Sequence, residues 1–278
     1  MARPGRGYRF PEVLVAAAVV VVVIGLLIPA TMKVRCAAAR ARCTNHLKQL
    51  AGATLNYHGA RDHFPPGGSA APCLSAATPA AREAGGWTWA YALLPYLGQD
   101  RLYHDPDPAA VTRTPVEVFY CPARRTAGAY ADKAKLDYAA NAGADPDGRT
   151  GVIAPTGVPP LRLSDLRSGT AGLVLFSGKR LNRATLGTSP DDDDAYPTAG
   201  WGPDYEVYRT SAEHPAPDAD EPGGLAPRTG FGAAHPGVFC VSFADGSVRP
   251  LRYTIDPAVW RKVCQRDGPH ELPSPNDN

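Results

Sequence analysis

Between Val13 and Met32 the chain carries no charged side chain, and Val13–Ile28 (VLVAAAVVVVVIGLLI) is apolar at every position. With Pro29 and the residues up to Met32, this run reaches about the 20 residues that cross a bilayer as a helix. No other feature constrains the fold as strongly. A secretory signal peptide has the same basic lead-in, but its apolar region is shorter and ends in a small-residue cleavage site that fits poorly here. A plain signal anchor satisfies the hydropathy. A third reading depends on the residues just before the run.

Charge separates this segment from the rest. Residues 1–60 carry Arg3, Arg6, Arg9, Lys33, Arg35, Arg40, Arg42 and Lys48 against Glu12 alone, a balance of +7. The remaining 21 basic and 26 acidic residues give −5, so the total of +2 hides a basic stem and an acidic body. A strongly basic nucleic-acid binder is excluded as a first reading. The 278 residues suffice for one large or two small domains. With 28 Gly and 29 Pro, the chain is rich in turns yet below the share that marks low-complexity disorder.

After the basic leader comes Gly7-Tyr8-Arg9-Phe10-Pro11-Glu12. The pattern of Gly, an aromatic residue and a Glu five residues after the Gly resembles the processing site of type IV prepilins and type II secretion pseudopilins. The resemblance implies that a prepilin peptidase/N-methyltransferase cuts after Gly7 and methylates the new amino group of Tyr8. It also implies a role for Glu12, whose carboxylate at a membrane helix's start is matched in that family by the N-terminal amine of an adjacent subunit. Left unpaired in lipid, such a carboxylate costs several kcal/mol; read alone, Glu12 is a wet side chain at the headgroup level. The implied partners are the lipid bilayer, the processing enzyme and like subunits in a filament. The implied location is the inner membrane, single-pass, with the body in the periplasm or at the cell surface. Arg9 stands where the family usually has a small polar residue, and Pro11 is tolerable in a first helical turn. The positive-inside count alone places the body in the cytoplasm; the leader pattern takes precedence because a dedicated enzyme reads it.

Beyond the apolar run, Leu47, Leu50, Thr54/Leu55 and Tyr57/His58 recur at helical spacing, one face of an amphipathic helix. A continuous helix from Tyr8 to His58 is roughly 75 Å long, with a kink or local break expected at Pro29. From residue 59 on, turn clusters dominate, among them Phe64-Pro65-Pro66-Gly67-Gly68 and Asp145-Pro146-Asp147-Gly148. The clearest strands are Gly172–Phe176, Val238–Phe243 and Ser247–Tyr253, the last two joined as a hairpin at Ala244-Asp245-Gly246. The expected fold class is α+β: a long N-terminal helix, membrane-spanning in its first half and amphipathic in its second, packed on a mainly antiparallel sheet. The expected organisation is a leader at 1–7, a stem helix at 8–58 and a turn-rich body at 59–278.

Several strings in order resemble the DUF1559 family. They include Cys43-Thr44-Asn45-His46-Leu47-Lys48-Gln49-Leu50, Asn56-Tyr57-His58, Phe64-Pro65-Pro66-Gly67, Phe119-Tyr120-Cys121-Pro122, Asp137-Tyr138-Ala139-Ala140-Asn141 and Gly178-Lys179-Arg180-Leu181-Asn182. His235, nine residues and Asp245-Gly246 match its H-x9-DG signature. The family also carries a prepilin-type start, and it supplies no catalytic residue. The chain departs from the family in lacking the Glu that commonly precedes Lys179.

Three constellations bear on chemistry. His235 and Asp245-Gly246 flank one strand; they read as the turns into and out of it, or as a His/Asp pair for a metal or partner. Asp191, Asp192, Asp193 and Asp194 form an acidic run able to supply oxygen ligands to Ca²⁺, but without EF-hand spacing, so a solvated loop is the expectation and no metal is assigned. Six cysteines without a C-x-x-C pair argue against structural zinc and, in an exported body, are compatible with disulfides. The family-matching strings favour Cys43 and Cys121 as a pair. No G-x-S-x-G, H-E-x-x-H or phosphate loop occurs. The expectation is a non-enzymatic, cofactor-free, pilin-like anchored protein. The alternative is a monomeric tethered module that binds Ca²⁺ or a polysaccharide through residues 191–209.

Overall fold

The computed structural model describes residues 10–166, 169–221 and 229–268. Gly7 and Tyr8 lie outside them, as do the side chains of Glu12, Val13, Ala16, Val23 and residues 25–30. Residues 1–39 and 40–278 form two compact units.

Helix α1 (Phe10–Arg61) belongs to both units. It continues through Pro29 without the break expected there. Within the first unit, Leu14, Val15, Val19–Val22 and Ile24 are all more than half exposed. Among the described residues no helix is long and apolar enough to cross a membrane; the Val13–Ile28 run includes several of the side chains named above as outside them. In the second unit the helix buries Cys43, His46, Leu47, Leu50, Ala51, Ala53, Thr54 and Tyr57. Their three- and four-residue steps place them on one stripe, as the hydropathy pattern requires. The helix stops at Asp62, which takes a left-handed φ of 60°, a conformation that Asp tolerates better than most residues.

The body is built on strands β1 (Ala129–Tyr130), β2 (Lys133–Ala134), β3 (Tyr138–Asn141), β4 (Val174–Gly178), β5 (Tyr208–Arg209), β6 (Ala216–Pro217), β7 (Gly232–Ala233), β8 (Val238–Phe243) and β9 (Val248–Arg252). Five form the main sheet in the order β5-β3-β4-β8-β9. Its pairings are antiparallel except β3–β5, so the expected mainly antiparallel sheet is present. The β8–β9 hairpin lies where Asp-Gly placed it: Gly246 takes φ +83°, the Phe243 amide donates to Ser247 O, and the Ser247 amide donates to Asp245 Oδ1. β4 starts two residues later than its apolar run implied, and β5 carries no strand signal of its own.

Side-chain alternation assigns the two faces. Tyr138, Ala140 and Cys240 pack in a large core with the buried stripe of α1, while Ala139, Phe239, Val241 and Phe243 pack in a second core with Trp260 and Val263. Those last two belong to helix α2 (Pro257–Val263), capped by Asp256, whose carboxylate accepts from Ala258 N and Val259 N. The register shifts between Val174 and Phe176, which is why Leu175 and Phe176 join the same core although they are adjacent. The edge strand β9 carries Arg249, Pro250 and Arg252, all exposed, residue types that discourage pairing with another edge.

Candidate functional site

Three segments far apart in sequence meet under α1. Cys43 comes from its buried stripe. Cys121 opens a turn in which the Arg124 and Arg125 amides donate back to Cys121 O, with Pro122 at a position suited to its fixed φ. His235 lies in the connection from β7 to β8, just before Gly237 (φ +75°). All three are under 5% exposed. Cys43 Sγ stands 2.7 Å from Cys121 Sγ, and His235 Nε2 stands 3.9 Å from Cys121 Sγ. Among the described residues these are the three side chains grouped closely enough to hold one metal ion. Cys240 and Tyr138 line the same small space. His46 Nδ1 lies 2.9 Å from Tyr120 O, tying α1 to the segment that carries Cys121. Gly178 borders the site from β4, and a Cβ there would strike Gly232 O, so glycine permits β7 and His235 to approach the sheet.

The two thiols differ. Hydrogen bonding to Cys121 holds the Cys43 thiol below its ordinary value against the opposing effect of burial. The same contact, followed by burial, pushes Cys121 well up. Cys43 is therefore the more acidic of the two thiols.

Behind Cys121 lies a buried ionic network. The Cys121 amide donates to Asp137 Oδ2. Asp137 pairs with Arg124 at 3.2 Å and Arg125 at 2.6 Å. Arg124 also reaches Asp218 at 2.8 Å, and Arg125 grips Asp192 through both terminal nitrogens. Lys179 pairs with Asp192 at 3.5 Å, and Arg209 with Asp191 at 3.5 Å. Arg209 also donates to Tyr205 O. Burial opposes the charge on Arg124, but Asp218 and Asp137 overcome it and hold the guanidinium protonated. Asp192 is penalised by burial, yet Lys179 and Arg125 keep its carboxyl below the usual range. Glu206 makes no ion pair among the described residues: burial pushes it up to about 8, with Lys179 opposing and Asp192 reinforcing the rise.

This arrangement corrects the reading of the acidic run. Asp191 and Asp192 are buried rather than solvated, and their oxygens are occupied by Arg209, Arg125, Lys179 and the Gly187 amide. Asp194 pairs with Lys133, and Asp193 points to solvent. The four carboxylates do not converge, so they supply no shared Ca²⁺ site. The cations they serve are side chains of the chain itself.

The H-x9-DG residues are not brought together either. His235 lies with the thiols at one end of β8, and Asp245-Gly246 form the exposed hairpin turn at the other. Cys43 and Cys121, paired on resemblance, are neighbours. Reasoning from spacing missed their association with His235, because the three are separated by 78 and 114 residues. Their family-matching strings were the available signal. Lys179, Arg124 and Arg125 gave no sign of burial, since charged residues read as surface.

No curated protein and no solved structure matches the chain. The family described as "Protein of unknown function (DUF1559)" matches residues 32–258, a span that contains the thiol–imidazole cluster, the ionic network and the whole sheet. The chain is a member of the DUF1559 family.

Proposed function

We infer that this protein is a pilin-like, membrane-anchored structural protein, cut after Gly7, with an exported body. The observation that carries this reading is the contrast along α1. From Cys43 to Tyr57 one apolar stripe is buried, whereas at Leu14, Val15, Val19–Val22 and Ile24 large apolar side chains stand exposed with no protein cover. Burying such a side chain is worth about 1.5–3 kcal/mol, so these exposed side chains call for lipid or for like helices. The Gly-aromatic-x-x-x-Glu pattern before them supplies the processing step. N-terminal sequencing and intact mass of membrane-extracted protein test it. A chain beginning with N-methylated Tyr8 is expected; one beginning at Met1, or after residue 30, refutes the reading.

A second reading, a tethered binding module, draws on a cleft of about 720 Å³ bordered by Leu74, Pro108, Lys133, Asp194, Pro203 and Asp204. That volume suits a small organic ligand, and the mixed apolar and charged walls suit a polysaccharide segment. Calorimetric titration of the full chain with neutral and acidic oligosaccharides separates the readings: saturable heat lost in Asp194→Ala favours the module.

A further inference from the structure

We propose that Cys43 and Cys121 close into a disulfide that fixes α1 to the body, with His235 as the base that takes the proton of Cys121 in the closing step. The sulfurs already face one another at 2.7 Å across 78 residues of chain. Closing to a bonded distance near 2.05 Å needs a small rotation about the two side chains. Holding a tetrahedral ion, by contrast, with each sulfur about 2.3 Å from it, separates the sulfurs by about 3.8 Å and requires the site to open. Burial also decides against a cycling redox centre, because reactive thiols are partly exposed and fully buried ones are structural. Both cysteines are at or below 3% exposure.

The reaction with an oxidant therefore begins during folding, before α1 covers the site. The Cys43 thiolate attacks a disulfide-bearing oxidant, forming a mixed disulfide and releasing one thiolate of the reagent. Docking of α1 then brings Cys121 alongside. As the Cys121 sulfur attacks the Cys43 sulfur, its proton passes to His235 Nε2 and on to the second departing thiolate. The protein loses two electrons and two protons, and the reagent becomes two thiols. Cys121 needs a base because its thiol is buried, which disfavours the thiolate that must attack, and His235 Nε2 is the ring nitrogen beside it. In the cell, closure rests on export of the body as inferred above, since cytoplasmic thiols are kept reduced; in a redox buffer it does not.

The test uses the full chain in detergent, reduced, unfolded and refolded in oxidised and reduced glutathione, then alkylated and peptide-mapped. A Cys43–Cys121 linked peptide is expected, with the other four cysteines alkylated. Cys121→Ser is expected to trap glutathione on Cys43. His235→Gln is expected to slow the closing step several-fold at pH 7, the deficit shrinking as pH rises. If His235→Gln does not refold, the wild-type map and the Cys121→Ser adduct still decide the cross-link. Refolded wild type with both cysteines alkylated, or holding one equivalent of Zn²⁺ or Cu⁺ through them, overturns the proposal. An equal closing rate in His235→Gln overturns the role of His235. A pair that closes in the redox buffer but is reduced in protein taken directly from cells leaves the cross-link standing and overturns the export reading.

Discussion

At the scale of single residues, Glu206 and Asp192 are both buried and respond to pH in opposite senses. Burial raises Glu206 from an ordinary 4.5 to about 8. The folded chain therefore keeps a proton that the unfolded chain releases above 4.5, so stability falls as pH rises from about 4.5 to 8 and levels off beyond. The neutral isostere removes this dependence: Glu206→Gln, whose amide oxygen can still accept from the Asp194 amide, is expected to gain melting temperature over wild type at pH 9 and little at pH 5. Equal differences at both values would refute the assignment. Asp192 lies below its ordinary 3.8, so its stabilisation is present above that value and is lost only as pH falls below it. Asp192→Ala leaves Lys179 without its paired carboxylate and Arg125 with Asp137 alone in the interior, which costs about 3–5 kcal/mol. Urea unfolding of the detergent-solubilised chain measures it; a loss under 1 kcal/mol would show that other groups neutralise the two cations. Added Ca²⁺ is expected to leave the melting temperature unchanged, because these carboxylates already serve Arg and Lys.

At the scale of elements, the second half of α1 is the component that both sequence and structure define best. Leu47 and Leu50 are at or below 1% exposure, while Lys48 between them is exposed. Leu50→Ala is expected to cost about 2–5 kcal/mol in the same unfolding measurement, and Lys48→Ala no more than about 0.5 kcal/mol. Reversed magnitudes would mean that the helix is rotated from the face described. The cross-link proposed at Cys43 acts on this same element. Tying residues 78 apart lowers the unfolded chain's entropy by the equivalent of about 4.5 kcal/mol in the loop-closure account. Dithiothreitol should then lower the melting temperature of wild type and leave the Cys43→Ser/Cys121→Ser double variant unmoved. The β8–β9 hairpin was equally legible, because alternation and Asp-Gly are both local signals. β5 was not legible: a two-residue strand paired in parallel with β3 has no period of its own, and its position comes from the strand it joins.

At the scale of the whole molecule, charge and hydropathy divide the chain into a basic, apolar-fronted stem and an acidic, turn-rich body. Glu12→Ala is the variant that addresses assembly. If Glu12 pairs with the amine of a neighbouring Tyr8, the variant is expected to be processed and membrane-bound but absent from any sedimenting filament fraction. Unchanged sedimentation would remove that pairing. The sequence alone determined the features carried by short-range patterns: the apolar run, the amphipathic stripe, the hairpin, the α+β class and the family strings. Each depends on residues within a few turns of one another, where spacing is itself geometry. Only the tertiary structure decided that Asp191 and Asp192 are interior anions, that Lys179, Arg124 and Arg125 are interior cations, and that Cys43, Cys121 and His235 share one site. A charged residue's burial depends on partners contributed from elsewhere in the chain, and a three-residue site joined across more than a hundred positions leaves no local period to read. The apolar run that most constrains the chain fixes where its stem lies, and the sheet and its two cores fix which buried chemistry the body holds.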